Sequence, residues 1–169
     1  RILARYPDSM TVIIASILGD AELSPVKRGY AVFRDHHSQE QHGWLEYKAS
    51  LLPPEPYFRF IYYKSGSMSL VSQSNPLFQN LRNLFYLPSG SSEEANKYNI
   101  KREKQLGKDA AKLVESVFSK NPGLALAILI GDDGTLSAFT NGKTVHFEYN
   151  IYCQGFSKES ALILKSIIE

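Results

Sequence analysis

The sequence LAILIGDDG at residues 126–134 is an apolar run that ends abruptly on two carboxylates and a glycine. A second run, IIASILGDA at residues 13–21, repeats the design, because it too is apolar until a Gly-Asp pair closes it. Both runs are predicted to be helices. Two copies of one design in a chain of 169 residues predict a pseudo-twofold protein with acidic groups at its centre.

Small residues recur at a spacing of four in both runs. Ala15 and Gly19 share one helix face, as do Ala127 and Gly131, so a partner backbone can approach each helix closely there. We therefore expect the two helices to pack together at these four residues. Their C-terminal carboxylates would then lie side by side, where divalent cations would relieve the repulsion and the unfavourable end of each helix dipole.

The composition limits the class of protein. With 43% hydrophobic residues the chain can bury a core, and its longest apolar run, residues 124–130, is far shorter than the ~20 residues of a membrane span. We therefore expect a soluble protein without a membrane partner. A single cysteine, Cys153, excludes an internal disulfide and favours a reducing, intracellular compartment. The chain shows no secretory signal, and it begins at Arg1, so a targeting segment could already have been removed.

The net charge of +2 is small for a protein that grips a nucleic-acid duplex, because affinity for a duplex comes largely from neutralised phosphates. The charge is also uneven. Residues 97–120 hold seven Lys or Arg against three acids, whereas residues 121–169 hold three against five. Basic surface is therefore expected in the first half and the connector.

Residues 1–88 are predicted to form a first unit with the element order αββαββα. Its basic side chains are candidates for nucleic-acid contact, since a two-stranded ribbon fits the major groove. Alternation places Arg28, Arg34 and His36 on one face of the first hairpin, and the second hairpin carries Arg59 and Lys64. From the strands alone, an ordinary solvated face is the favoured alternative.

The histidines His36, His37 and His42 are close together in the sequence. We interpret them as surface polar residues and not as a zinc site, because a matching Cys or His cluster is missing elsewhere.

Residues 89–120 are predicted to be a linker followed by a charged helix. Lys101, Arg102 and Lys104 form a candidate phosphate-contacting cluster, and a solvated helix face is the equal alternative. Residues 121–169 are predicted to be a partial second unit, αββα, whose hairpin turns at Asn141-Gly142. A further hairpin and helix would be needed to repeat the first unit, so the chain is either a fragment or a reduced protein.

These residues carry a resemblance to a known family. Residues 126–134 resemble the motif that names the LAGLIDADG homing endonucleases, and residues 13–21 resemble the degenerate first copy of two-motif members. Residues 38–48, SQEQHGWLEYK, resemble the helix after the first hairpin, and residues 149–159, YNIYCQGFSKE, the junction after the second motif. The resemblance covers most of the chain except about residues 88–120. It implies an α+β fold of repeated αββαββα units with saddle-shaped antiparallel sheets, in a pseudo-dimeric monomer and not a homodimer.

The resemblance implies a site-specific double-strand DNA endonuclease of the homing type that hydrolyses phosphodiester bonds with Mg²⁺. Asp20 and Asp133 align with the last acid of the motif and are the expected catalytic residues and metal ligands. Asp132 is the alternative if Gly131-Asp132 is the pair that matches Gly19-Asp20. Hard carboxylate oxygens suit Mg²⁺. A catalytic-site lysine, usual in the family, has no clear position in this sequence.

The rival function is a catalytically inactive relative that binds structured RNA, as an intron-splicing maturase or a component of an organellar ribosome or other ribonucleoprotein. The low positive charge and the missing final hairpin favour the rival, whereas retention of both acids favours the nuclease. Asp20 and Asp133 could also simply end two helices. A protein-interaction domain is a third reading, supported only by the charge. Since family members are commonly organellar, a mitochondrion or chloroplast is the expected compartment.

Overall fold

The computed structural model describes residues 3–26, 29–86, 104–153 and 156–169. The first part contains α1 (Ser9–Leu18), β1 (Glu22–Ser24), β2 (Val32–His37), α2 (His42–Ser50), β3 (Phe58–Tyr62), β4 (Met68–Ser72) and α3 (Pro76–Phe85). The second contains α4 (Lys108–Phe118), α5 (Pro122–Asp133), β5 (Gly134–Asn141), β6 (Thr144–Ile151) and α6 (Lys158–Ile168). The predicted α+β order is confirmed. The predicted boundary at residues 88–89 lies outside the described residues and stays a prediction.

Helix α1 is the centre of the core. Every residue of α1 except Met10 is buried, which is the pattern of a helix surrounded by protein on all sides. It packs against α5 and α4. Among the described residues no single helix is long and apolar enough to cross a membrane, and α4 and α5, which reach that length only together, are bent by 114° at their junction.

The first part forms a four-stranded antiparallel sheet with the strand order β1-β2-β4-β3. Its inner face packs on an aromatic cluster, because the ring of Phe33 in β2 lies 5.9 Å from Phe58 and 6.1 Å from Phe78 of α3. Side chains alternate along β2 from Phe33 onward, so that Phe33, Asp35 and His37 point inward while Arg34 and His36 point outward. The sheet therefore has one face packed on aromatic rings and an opposite face, here called the open face, that carries Arg34 and His36 while the β4 residues on it, Ser69 and Val71, are buried between their neighbours.

Strands β5 and β6 form a separate two-stranded ribbon that repeats β1 and β2. Leu23 pairs with Phe33 in the first part, and Leu136 pairs with Tyr149 in the ribbon. The first pair is buried, but Leu136 is 54% and Tyr149 58% exposed. In the first part β4 and β3 extend the sheet and α3 packs on its inner face, whereas the apolar face of the ribbon has no such cover among the described residues.

This difference predicts unequal costs for two matched substitutions. Phe33→Ala should lower the free energy of unfolding by about 3–5 kcal/mol, because it opens a cavity in a packed core. Tyr149→Ala should change it by less than about 1 kcal/mol, since its ring lies on an exposed face. Urea denaturation of both variants measures the difference. Equal losses would contradict the assignment of one covered and one open face.

Candidate acidic site and nucleic-acid interface

Helices α1 and α5 meet at a seam where Gly19 follows α1 and Asp132 lies in the last turn of α5. A side chain at Gly19 would place its Cβ 2.7 Å from the Cβ of Asp132, a distance that real Cβ atoms do not adopt. Ala15, one turn earlier, is fully buried. The two helix ends can therefore approach this closely only because residue 19 is glycine.

The predicted small-residue face of α5 is wrong in part. Ala127 is exposed, and the buried residues of α5 are Ala125, Ile128 and Leu129, a stripe that continues to Asp132. Gly131 lies against α2 and not α1, because a Cβ there would clash with the indole ring of Trp44. The helix is rotated from the orientation that the spacing of Ala127 and Gly131 suggested.

Three potential ligand groups converge at the seam. Ligand atoms of Asp20, His37 and Asp132 all lie within 4.8 Å of one another. Asp133, which the motif assigned together with Asp20, is not in this group. It ends α5, and its carbonyl oxygen accepts a hydrogen bond from the Tyr152 amide at 2.8 Å. Burial, and secondly the charge of Asp133, raise the pKa of Cys153. The carboxylates that the structure brings together are thus Asp20 and Asp132, the acid that the sequence offered as the alternative to Asp133.

Asp132 belongs to a buried ion cluster that also contains Asp35, His37 and Lys48. The Nζ atom of Lys48 lies 2.8 Å from Oδ1 of Asp132, 2.5 Å from Oδ2 of Asp35 and 3.1 Å from Nε2 of His37. All four side chains are buried, with Lys48 fully enclosed. The cluster links β2 and α2 of the first part to α5 of the second.

Two cations balance two carboxylates in this cluster when His37 is protonated. Nε2 of His37 lies 2.8 Å from Oδ1 of Asp35, beside the Lys48 ammonium at 3.1 Å, and Nδ1 lies 3.2 Å from Oε1 of Gln41. Each ring nitrogen therefore has an oxygen acceptor within reach. Burial alone would lower the pKa of His37, but the contact with Asp35 outweighs burial and raises it. Burial would likewise raise the pKa of Asp35, but His37 and Lys48 hold it below its usual range. The contacts of the Asp35 carboxylate with His37 and Lys48 are ion pairs between buried groups.

Asp132 is the least balanced member of the cluster. Burial raises its pKa, with the charge of Asp35 acting in the same direction, and Lys48 and Trp44 only partly offset this. Its Oδ1 accepts from Lys48 and, at 2.7 Å, from the indole nitrogen of Trp44. Its Oδ2 is buried and has no hydrogen-bond partner in the described structure. A buried carboxylate oxygen without a partner is costly, and a cation would remove that cost.

This donor set fits a hard divalent cation held by oxygen. Asp20 is exposed at the end of α1, and Oδ2 of Asp132 has no partner. His37 does not fit as a ligand, because both of its nitrogens already face acceptors and its pKa is raised. The site is therefore a two-carboxylate site with His37 in its wall.

Basic residues predicted from the sequence lie on the open face of the sheet. Arg34 pairs with Val71 and Val71 with Arg59, so the two arginines share one row across three strands. His36 lies in the next row, and its Nδ1 is 2.8 Å from Oγ of Ser69. Lys64 is exposed in the turn between β3 and β4. The structure thus brings Arg34, His36 and Arg59 together.

The other predicted basic residues divide into two groups. Arg28, Lys101 and Arg102 lie outside the described residues. Lys104 is described, and its Nζ donates to the carbonyl oxygen of Gly19 at the end of α1. Lys104 is therefore at the seam beside Asp20, and not on the open face of the sheet.

The ion cluster was not predicted from the sequence. Lys48 and Trp44 were given no functional role, and His37 was predicted to lie on the surface although it is 2% exposed. A signal was present, because Asp35 and His37 alternate in phase with Phe33, which is a core position. Charged residues in phase with a core strand indicate a buried polar partner elsewhere in the chain.

Comparisons with known proteins address the fold. No protein-family model and no curated protein matches the sequence. Among solved structures, the chain is similar to the homing endonuclease I-WcaI bound to its DNA recognition sequence, with a TM-score of 0.55 and 18% identity. The match covers 96% of this chain and 66% of that one, so the chain spans just under two thirds of that protein. The fold is homing-endonuclease-like.

The close contact at the seam can be tested at Gly19. Gly19→Ala should lower the free energy of unfolding by about 1–3 kcal/mol, because the new methyl group overlaps Asp132. Gly123→Ala, in the first turn of α5 with no atom near the added methyl, is the matched control and should be neutral or stabilising by up to about 1 kcal/mol. Thermal denaturation compares the two. A tolerated alanine at residue 19 would rule out the close packing of the helix ends.

The raised pKa of His37 makes stability depend on pH. A histidine whose pKa is higher in the folded state stabilises fully below its ordinary value of 6.5, and this contribution disappears as pH rises through the folded value. The free energy of unfolding of the wild type should therefore fall as pH rises above about 6.5 and through the raised pKa of His37. His37→Gln should be less stable at pH 6 and should show a flatter profile. His36→Gln, on the open face, is the control; the same flattening there would contradict the assignment to His37.

Proposed function

We propose that this chain binds double-stranded DNA across the open face of its sheet and hydrolyses phosphodiester bonds with a divalent metal ion at the seam. One observation carries the proposal: Asp20 and Asp132 lie within 4.8 Å at the ends of two packed helices in a homing-endonuclease-like fold. Two carboxylates held this close repel each other unless a cation or a proton lies between them.

The ligands in this proposal are an oxygen of Asp20, which reaches solvent, and Oδ2 of Asp132, which is buried. Mg²⁺ suits such a site because it prefers carboxylate oxygens and keeps several waters for contact with a phosphate. When bound, the ion would lower the pKa of a water and stabilise charge on the phosphate oxygens. Trp44 and Lys48 fix the orientation of Asp132 through its other oxygen.

Cations around the seam would position the nucleic acid. Lys104 lies at the end of α1, where its ammonium also faces the negative end of the helix dipole. Arg34 and Arg59 share a row on the open face, a geometry suited to phosphates or to guanine edges. Lys104 is our candidate for the active-site cation that the sequence did not locate.

The proposal also includes the subclass of the enzyme and its compartment. A site-specific, two-motif LAGLIDADG enzyme that cleaves both strands is supported by residues 126–134 and 13–21. An organellar compartment is supported by the family resemblance alone.

A second candidate function is binding of structured RNA without cleavage, in a maturase or a ribonucleoprotein. One observation favours it: the ammonium of Lys48 already compensates Asp132 inside the protein, so the fold does not require a metal ion there. The low net charge of +2 points the same way.

Cleavage assays separate these functions. With Mg²⁺ and a pool of randomised duplexes, the wild type should produce cut ends, and Asp20→Asn or Asp132→Asn should reduce the rate by about 100-fold or more. Asp133→Asn should retain most of the activity if the geometry identifies the ligand. Asp109→Asn, at an exposed carboxylate in the first turn of α4 that is not one of the grouped ligand residues, is the control. Each variant is first checked for folding by thermal denaturation.

Two other results would contradict the proposal. Activity lost in Asp133→Asn and kept in a folded Asp132→Asn would show that the motif alignment identifies the ligand and that the observed contact does not. No cleavage by the wild type, together with tight and salt-sensitive binding of structured RNA, would favour the second function.

A further inference from the structure

Lys48 lies where a cation is needed to compensate Asp132. We propose that Lys48 is a resident counter-cation of Asp132, and that its ammonium keeps the affinity of the seam for divalent metal ions low until nucleic acid binds. This inference rests on the proposed function, because it concerns the same metal site.

The two oxygens of Asp132 have different surroundings. Oδ1 is occupied by Lys48 at 2.8 Å and by Trp44 at 2.7 Å, whereas Oδ2 has no partner. Lys48 therefore does not block the site sterically. It compensates half of the carboxylate and leaves the other half for a ligand.

The charge of Lys48 opposes a second cation. Its Nζ is 2.8 Å from one ligand carboxylate and 3.1 Å from Nε2 of His37. A ring nitrogen of His37 lies within 4.8 Å of an oxygen of each ligand carboxylate. A divalent ion at the seam would thus meet a fixed positive charge only a few ångströms away. At the effective dielectric constants of protein sites, repulsion at that range weakens binding by about tenfold or more.

A phosphate group would offset the repulsion between Lys48 and a divalent metal ion. Each phosphate carries a negative charge and offers oxygen ligands, so a nucleic-acid backbone at the seam would compensate the ion where Lys48 opposes it. Metal and nucleic acid would then increase each other's affinity, since coupling between two ligands is reciprocal. The ion would be held firmly only in the complex.

The pairing of a lysine with the seam carboxylate occurs on one side of the seam in the described residues. The register that pairs Glu22 with Arg34 corresponds to the pairing of Thr135 with Asn150, so Asp35 is matched by Ile151 and His37 by Cys153. Neither counterpart can pair with an ammonium as Asp35 does. Lys48 therefore compensates the charge of Asp132, and it has no equivalent in the described part of the second half.

Titration with Mn²⁺ tests the inference without measuring cleavage. Mn²⁺ binding to the free chain is followed by electron paramagnetic resonance, and by the fluorescence of Trp44, the single tryptophan of the chain. Lys48→Met removes the charge at nearly constant length, and Asp35→Asn/Lys48→Met removes a compensating pair of charges so that the cluster stays close to neutral. Both variants should bind Mn²⁺ about tenfold or more tightly than the wild type without nucleic acid.

A DNA duplex and two control variants distinguish an effect of the Lys48 charge from a structural effect. A short DNA duplex should increase the Mn²⁺ affinity of the wild type more than that of the variants. Lys48→Arg, which keeps the charge, and Lys112→Met, an exposed residue of α4, should bind Mn²⁺ as weakly as the wild type. A purely structural role of Lys48 would instead lower the affinity in every Lys48 variant.

Unchanged or weaker Mn²⁺ binding by a folded double variant would overturn the inference, and so would tight Mn²⁺ binding by the free wild type. If the wild type cleaves DNA while these Mn²⁺ results are negative, only the role of Lys48 fails. If no protein binds Mn²⁺ with or without duplex and none cleaves DNA, the proposed metal site fails with it.

Discussion

The ion cluster around Lys48 is the interaction on which the arrangement of the two halves depends. Its members come from β2, α2 and α5, and the contact between Lys48 and Asp132 joins residues 84 positions apart. A buried ion pair is costly to form, but loss of one partner leaves an uncompensated charge, so the members are tightly coupled. The apolar contacts of α1 and α5 provide the stabilisation, and the cluster fixes how the helices meet.

This constraint explains the geometry of the seam. Gly19 permits Asp132 to approach α1, Trp44 and Lys48 orient its carboxylate, and Asp20 reaches the same point from the other helix. The result is one partly compensated carboxylate beside one exposed carboxylate. In a nuclease, the oxygen of Asp132 that Lys48 leaves free could hold a metal ion. In a binding protein, the ion pair of Lys48 and Asp132 would only connect the two halves.

The two halves share a design without sharing an environment. The first sheet has an inner face packed on aromatic rings and an outer face with Arg34 and Arg59 in one row, while the ribbon of β5 and β6 is exposed on both faces. The ribbon carries Lys143, at its turn, as its one Lys or Arg. Any nucleic acid would therefore meet unequal surfaces on the two sides of the seam.

Local chemistry determined much of this protein from sequence alone. Asn75 and Asn121 begin α3 and α5 through side-chain bonds to the amides of Leu77 and Leu124, and each is followed by a proline that favours a first helical turn. The turn at Gly142, whose φ is +64°, closes the ribbon. These signals depend on neighbouring residues, so the order of elements could be predicted.

Tertiary structure decided what the site contains. Periodicity identifies a helix but not its rotation, and the shape of the packed partner made Ala125, and not Ala127, the small residue of the α5 interface. Asp132 replaced Asp133 beside Asp20 for the same reason. Lys48 lies on the next helix, 11 residues after His37, and Asp132 lies 84 residues after Lys48, so the residues next to Asp35 and His37 do not identify their partners. The sequence by itself determined which elements form and that acids end two helices; only packing decided which acid faces the seam and which cation meets it.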